Sequence, residues 1–430
     1  MLAHGAVHVY EMVIPLFVVS WLVDFQTIGL GVTSLEVTTA TVGIVVTIGY
    51  VFFGVGSLPG GILVDKVGSR RLIGASLLGM GGSYVLLGLA PNMLVVAVAL
   101  LCWGIAASVY HPAGLTLISN GASDRGTALA YHGIAGNLGI GLGPLFAAVS
   151  LAFVDWRTLS LVLGFPALLA AVYAFRASFD ERAAVRSTDS DTSSARNHVD
   201  SIGEFLRASK GLLTGSFVLV FVIVMCSGLY YRGFLTFLPE LLSDLPGFAP
   251  VPIESLLPQP LRSFVDGGGD ARMLKPQDYF YAGLLLIGVV GQYAGGKLTD
   301  RVRVEYGLAV SFFILAVLAV AFVPASGMGI GPLIVVGALL GIFLFVVQPL
   351  YQAAVAEHTP PGSRGISYGF TYVGVFGVGA LGGALAGAIL TYANVVVLFA
   401  TLAGFATLGA VTAALLRRWA AGGPATSEGV

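Results

Sequence analysis

Long apolar runs follow one another from end to end of this 430-residue chain, with only short polar breaks between them. A helix needs roughly 20 apolar residues to cross the hydrocarbon of a bilayer. Twelve runs approach or exceed that length, at about residues 6–30, 38–59, 71–90, 93–118, 126–150, 157–176, 211–242, 279–297, 304–324, 330–356, 366–390 and 393–417. Composition agrees, with 57% hydrophobic and 10% charged residues, against about 25% charged in a soluble domain. Lipid is therefore the solvent, and the fold class is an all-α polytopic membrane protein of twelve transmembrane helices. A net charge of −1 leaves no basic face for nucleic acid, so the expected partners are the lipid bilayer and a small molecule. Cys102 and Cys226 each sit inside an apolar run, where packing accounts for them without a disulfide. The first run leads directly into a second, as an uncleaved span does, so no cleavable signal peptide is expected.

Positive charge resists translocation. With the N-terminus placed in the cytoplasm, sixteen of the 21 Lys and Arg fall in inward-facing segments, four in outer loops and one, Arg232, within a span. This bias predicts cytoplasmic termini in a multi-pass protein of the cell (plasma) membrane. Residues 177–210 are too hydrophilic to pack a core, notably from Ser187 to Ser194. They divide the chain into an N-terminal six-helix bundle (1–176), a cytoplasmic linker (177–210), a C-terminal six-helix bundle (211–418) and a cytoplasmic tail (419–430). The halves repeat. Gly61-Ile-Leu-Val-Asp65-Lys66 returns as Gly296-Lys-Leu-Thr-Asp300-Arg301, and Pro112 leading to Arg125-Gly126 returns as Pro349 leading to Arg364-Gly365. Duplicated, pseudo-symmetric bundles suit a substrate site between them and a rocking motion around it.

Gly61-x-Leu63-Val64-Asp65-Lys66-x-Gly68-x-Arg70-Arg71, between spans two and three, is similar to the loop signature of the major facilitator superfamily. With the second copy and the twelve-span layout, the resemblance covers nearly the whole chain. It implies a secondary transporter working by alternating access, monomeric and without cofactors, whose cytoplasmic seam is closed by these charges. Gly61, Asp65, Arg70, Arg71 and Arg125, with Asp300, Arg301 and Arg364 in the second half, are the expected gate. Setting topology is the plainer account of them, although topology does not require an Asp beside so many cations. The second copy has Arg303 where the first has Gly68. Tyr110-His111-Pro112-Ala113-Gly114, Arg125-Gly126, His8-x-x-Glu11 and Thr236-Phe-Leu-Pro239 resemble the fosmidomycin-resistance-type efflux subgroup, which implies proton-coupled export. Gly139-x-x-x-Gly143-Pro144 is similar to the family's antiporter motif and is expected to pack helices, with Leu145-Phe146-Ala147 in place of the usual glycine pair. Span four carries no Arg or Lys, unlike that of many drug–proton antiporters.

An ionisable side chain in hydrocarbon costs about 2.5–3.5 kcal/mol on insertion scales, so each one asks for a function or a partner. His4, His8 and Glu11 fall at i, i+4 and i+7, one stripe of the first helix. His111 in span four and His132 in span five lie at comparable depth when counted from the inner ends of their helices. Glu11, His8, His111 and His132 are therefore the proton-coupling candidates; hydrogen bonding between helices is the competing account. His4 is expected at the interface, and Asp24, about 20 Å beyond Glu11, near the outer end. Arg232, counted from Leu212, comes out about 30 Å up its helix, near the outer headgroups. Snorkelling explains it there. The sharper alternative is an anion contact at the cavity mouth, with a bend at Gly228 and Gly233 aiming the guanidinium inward.

The substrate-cavity candidates are Arg232, Tyr110, Asn137, Gln348, Tyr351 and Gln352. The 59 glycines read as close-packing surfaces, and no strand–glycine–helix pattern of a nucleotide site occurs. No catalytic group or metal is expected, since an intramembrane enzyme needs a nucleophile–base pair or metal ligands at matching depth. Proton-linked uptake of an organic anion is the alternative direction of transport. The outer segment 243–278 reads as a mobile insertion, with shading of the outer vestibule as the alternative.

Overall fold

The computed structural model of the chain describes residues 1–29, 33–178, 180, 181, 183, 210–212, 214–262, 272–359 and 364–422. Helices α1 (Leu2–Asp24), α2 (Thr39–Val64), α3 (Ser69–Gly88), α4 (Met93–Gly121), α5 (Arg125–Leu151), α6 (Trp156–Arg176) and α7 (Gly215–Ser243) precede α8 (Pro276–Thr299). After it come α9 (Val304–Gly327), α10 (Ile330–Glu357), α11 (Gly369–Tyr392) and α12 (Val395–Trp419). All but α8 are long and apolar enough to cross a membrane. The 24 residues of α8 are long enough too, but Gln277, Asp278 and Lys297 make its ends polar.

Side-chain caps start many of these helices. Thr38, Asn92, Asp124, Asp155 and Thr214 each accept a first-turn backbone N–H, filling donors that a helix leaves orphaned. The Thr127 N–H holds the exposed Asp124 carboxyl below the usual carboxylate range. Several helices are also interrupted. α2 breaks at Gly56, α4 at Val109 and α7 at Thr236–Phe237, and α11 is π-helical over Val373–Val378. Such irregularities in a membrane span are tolerated only where protein covers the freed backbone.

Pairings within the first six helices return in the second six. α3 packs on α6 as α9 does on α12, α1 on α5 as α7 on α11, and α2 on α4 as α8 on α10. The bundles meet through α2 against α11 and α5 against α8, which the same shift of six exchanges. This is the packing of two pseudo-symmetric six-helix bundles. At the end far from the termini, Thr39 Oγ1 donates to the Gly387 carbonyl at 3.0 Å and Thr47 Oγ1 to that of Ala380 at 3.0 Å. Further along, a methyl added at Gly54 would run into the Phe376–Gly377 backbone, so α2 reaches the π-helical turn only because position 54 has no side chain. α1 is the hub of the core, with Val7, Val13 and Phe17 fully buried.

Three expectations need correction. α1 ends at Asp24, short of residue 30, because Trp156 Nε1 and Arg157 hold the Asp24 carboxylate at 2.8 and 2.7 Å. The chain then turns into a small hairpin, Thr27–Gly29 against Ser34–Glu36. Gly228 and Gly233 do not break α7, which is continuous from Gly215 to Leu235; they let Gly379 and Gly382 of α11 approach it. The described part of 243–278 is folded. Val251–Pro252 pairs with Met273–Leu274, and buried Phe248 packs on Phe280 with ring centroids 5.6 Å apart. Nearly all of the linker 177–210, and residues 423–430 of the tail, lie outside the described residues.

Candidate functional site

Pro15 sits inside α1 and has no N–H for the carbonyl four residues earlier, that of Glu11. An orphaned carbonyl in an apolar interior is costly, so another donor has to reach it. The Tyr50 hydroxyl from α2 does so at 2.7 Å. Next to it, Tyr281 of α8 donates to the Met12 carbonyl at 3.0 Å, and Tyr84 of α3 to that of Tyr10 at 2.5 Å. Tyrosines from both bundles thus hold the backbone of the turn that carries Glu11.

Glu11 is 1% exposed and Arg232 2%. The two form an ion pair through Glu11 Oε1 and an Arg232 terminal nitrogen, joining α1 of the first bundle to α7 of the second. The other carboxylate oxygen, Oε2, lies 2.7 Å from His8 Nδ1. Arg232 rests on the Tyr50 ring, 3.6 Å from guanidinium carbon to centroid, with Tyr231 at 5.4 Å and Phe376 at 5.9 Å. Among the described residues its Nε is buried and unpartnered. Such a pair is held by mutual neutralisation, and removing either charge strands the other in a dry site.

From Glu11 the polar groups run toward the N-terminal end of α1. His8 Nε2 lies 3.1 Å from His4 Nε2, and His4 Nδ1 lies 2.7 Å from the His132 carbonyl on α5. The His4 and His132 rings stack at 3.8 Å, while His111 of α4 stands 5.2 Å from His4 and 5.5 Å from His8. His8, His111 and His132 therefore gather beside Glu11. So does His4, which is 8% exposed. Ring nitrogens of His4, His8 and His111 lie within 4.8 Å of one another, close enough to converge on one small cation.

Arg232 does not snorkel to headgroups. The 29 residues of α7 make about 43 Å of helix, so a point partway along lies in the interior even when it is far from the start. Tyr110 belongs to the histidine group, stacked 5.7 Å from His4. Tyr351 is buried on α10 within electrostatic reach of Glu11. Asn137 and Gln348 are half-buried and Gln352 is exposed. A methyl at Gly139 would collide with the Gly5 backbone, and one at Gly143 would come within 2.9 Å of Val9, so α5 lies against α1 beside Pro144.

At the loop between α2 and α3, Gly68 has φ +90°, a conformation L side chains rarely adopt. Glu181 accepts from the backbone N–H groups of Ser69 at 2.8 Å and Arg70 at 3.2 Å, capping α3, and the Arg70 guanidinium donates to the Ala177 carbonyl. A methyl at Gly61 would face open space; Gly60 is the close approach, 3.2 Å from Pro112. Arg71 and Arg125 are exposed, and the side chains of Asp65 and Arg364 lie outside those described. Asp300 and Arg301 are exposed on the rim of a cavity of about 310 Å³ that also borders Glu305 and Glu357, away from the Glu11 pair. There Glu305 pairs with Arg303 at 3.6 Å and lies within hydrogen-bond distance, 3.3 Å, of His358 Nε2. Glu181, Glu305 and His358 were not singled out by sequence reasoning. Their only sequence signal is an acid or base beside a helix end.

Comparison with known proteins matches this architecture. The Major Facilitator Superfamily profile aligns with residues 9–265. The chain is 32% identical over 121 residues to the puromycin resistance protein pur8 of Streptomyces alboniger, a match covering 27% of this chain and 24% of that protein. It is 30% identical over 149 residues to the uncharacterized MFS-type transporter YfnC of Bacillus subtilis (strain 168), covering 33% and 35%. The chain thus spans well under half the length of these relatives. Among solved structures, a bacterial homolog to the human lysosomal transporter Spinster, inward-facing and occupied, superposes with TM-score 0.69 at 12% identity, over 97% of this chain and 95% of that one. That likeness is one of fold. With the profile covering more than half of a chain built as two six-helix bundles, the protein belongs to the Major Facilitator Superfamily.

Proposed function

We propose that this transporter exports a small organic molecule in exchange for protons, by alternating access between bundles 1–176 and 211–418. The observation that carries the reading is the buried pair of Glu11 and Arg232, one charge from each bundle. While Glu11 is a carboxylate, its attraction for Arg232 ties α1 to α7. A proton delivered through the imidazoles cancels that charge, and the guanidinium loses its reason to stay. Proton occupancy is thereby converted into affinity between the bundles, which is what coupling requires. The motif around His111 supports placement in the fosmidomycin-resistance-type group, and similarity to a puromycin resistance protein fits an exporter. In this reading the protein is a monomer of the plasma membrane with both termini and the linker 177–210 in the cytoplasm. Asp65, Arg70, Arg71, Arg125, Asp300, Arg301 and Arg364 then line the cytoplasmic seam.

A second reading, uptake of an organic anion together with a proton, is favoured by one observation: the Arg232 Nε is buried and unpartnered among the described residues. A guanidinium with a free edge binds carboxylate or phosphonate. Acid-loaded inside-out vesicles separate the two. Adding cargo outside them releases protons if the protein is an antiporter, and Glu11→Gln abolishes the release. Labelled cargo that crosses without proton release, equally in parent and Glu11→Gln, overturns the antiport reading.

A further inference from the structure

Hydrogen bonds around His4 and His8 fix where their protons sit. His4 Nδ1 lies 2.7 Å from the His132 carbonyl, which only accepts, so that nitrogen carries a hydrogen. His8 Nδ1 lies 2.7 Å from a Glu11 oxygen whose carboxylate also faces Arg232, so it donates as well. A neutral imidazole has one N–H and one lone pair. Both Nε2 atoms would therefore present lone pairs, yet they face each other at 3.1 Å, a hydrogen-bond distance, in a buried site. Two lone pairs so placed repel, and a cation between them removes the repulsion.

We propose that the His4–His8 pair binds one excess proton, shared along the line between the two Nε2 atoms, and that this is the proton held ready for Glu11 in coupling. That role rests on the proton-coupled reading above; the binding site itself rests on geometry alone. No bond other than N–H is made, and the pair simply gains one positive charge. The titratable and charged groups facing it are Glu11 and the Met1 amine from the start of the chain, Tyr110 and His111 from α4, and His132 from α5. Arg232 of α7 faces it through Glu11, and Tyr372 of α11 stands 5.2 Å from His111. Glu11 is the one anion among these, and it touches His8 directly.

The arrangement gives the proton two mechanical consequences. When bound, it supplies Glu11 with a cation from within α1, which weakens the claim of Arg232 and the hold of α7. When it leaves, one imidazole has to turn away from the other. If His4 turns, α1 loses its tie to the His132 carbonyl of α5. Occupancy of one site thus acts on the packing of α1 against both bundles.

Solid-state NMR of ¹⁵N-histidine-labelled protein in lipid bilayers tests this, alongside pH-gradient-driven flux on the same preparation. At pH 8, above the ordinary imidazole range near about 6.5, one of the six histidines is expected to show both nitrogens protonated. That signature is expected to vanish in His4→Gln and in His8→Gln. Six neutral histidines in the parent would overturn the site, and the parent spectrum decides this even if the variants fail to assemble. A stoichiometric transition metal found by elemental analysis would overturn it too, since the metal would then be the cation in the gap. Neutral histidines with intact proton-driven flux would sink the site and leave the proton-coupled reading standing. A protonated pair without proton-driven flux would overturn its role as the coupling site.

Discussion

Glu11 has two carboxylate oxygens and two partners of different kinds: a permanent cation in the other bundle and an imidazole on its own helix. Because the pair is dry, its members are worth more together than apart. Arg232→Gln strands a buried carboxylate and is expected to destabilise the protein by about 3–5 kcal/mol, read as a lowered unfolding temperature in detergent. Adding Glu11→Gln to that variant removes the stranded charge and is expected to restore much of the loss. A double variant no more stable than Arg232→Gln would mean that the two side chains do not depend on each other. Glu11 and His8 were legible from spacing, since i, i+4, i+7 marks one helix face wherever that face points, and His111 and His132 from their depth along their own helices. Arg232 was misplaced because depth along a helix becomes depth in a membrane only if the helix is no longer than the hydrocarbon. His4 was left out of the group because its nearness to the chain start says nothing of the α5 backbone it reaches.

At the scale of the helix, α1 is a defective element that its neighbours repair. Pro15 marks the defect in the sequence and predicts an orphan carbonyl at Glu11, but not which hydroxyl finds it. The answer, Tyr50, comes from a helix whose approach depends on glycines packed against α4 and α11. Tyr50→Phe keeps the ring under Arg232 and deletes the donor. It is expected to lower stability by about 1–3 kcal/mol, measured by thermal unfolding, with the Glu11 carbonyl left unsatisfied. An unchanged transition would mean that another donor, or water, reaches that carbonyl. The charged loop signature was legible as a motif. Its main structural partner for α3, Glu181, was not, because a cap contributed 112 residues from Ser69 leaves no local pattern.

Across the whole molecule, twelve spans and their six-plus-six division could be read from hydropathy and the repeated loop, because lipid forces every span to announce itself in composition. The contacts between bundles could not, since small residues and hydroxyls on a helix face do not name the helix they meet. In the proposed mechanism a proton reaching Glu11 loosens α1 from α7 and lets the bundles part at the end far from the termini. Spin labels at Leu35 and Tyr392, exposed at that end on opposite bundles, would report it by double electron–electron resonance in nanodiscs with Cys102 and Cys226 replaced. Acidification is predicted to lengthen the distance in the parent, and Glu11→Gln is predicted to show the longer distance at every pH. Identical distance distributions in the parent and Glu11→Gln across the whole pH range would contradict it.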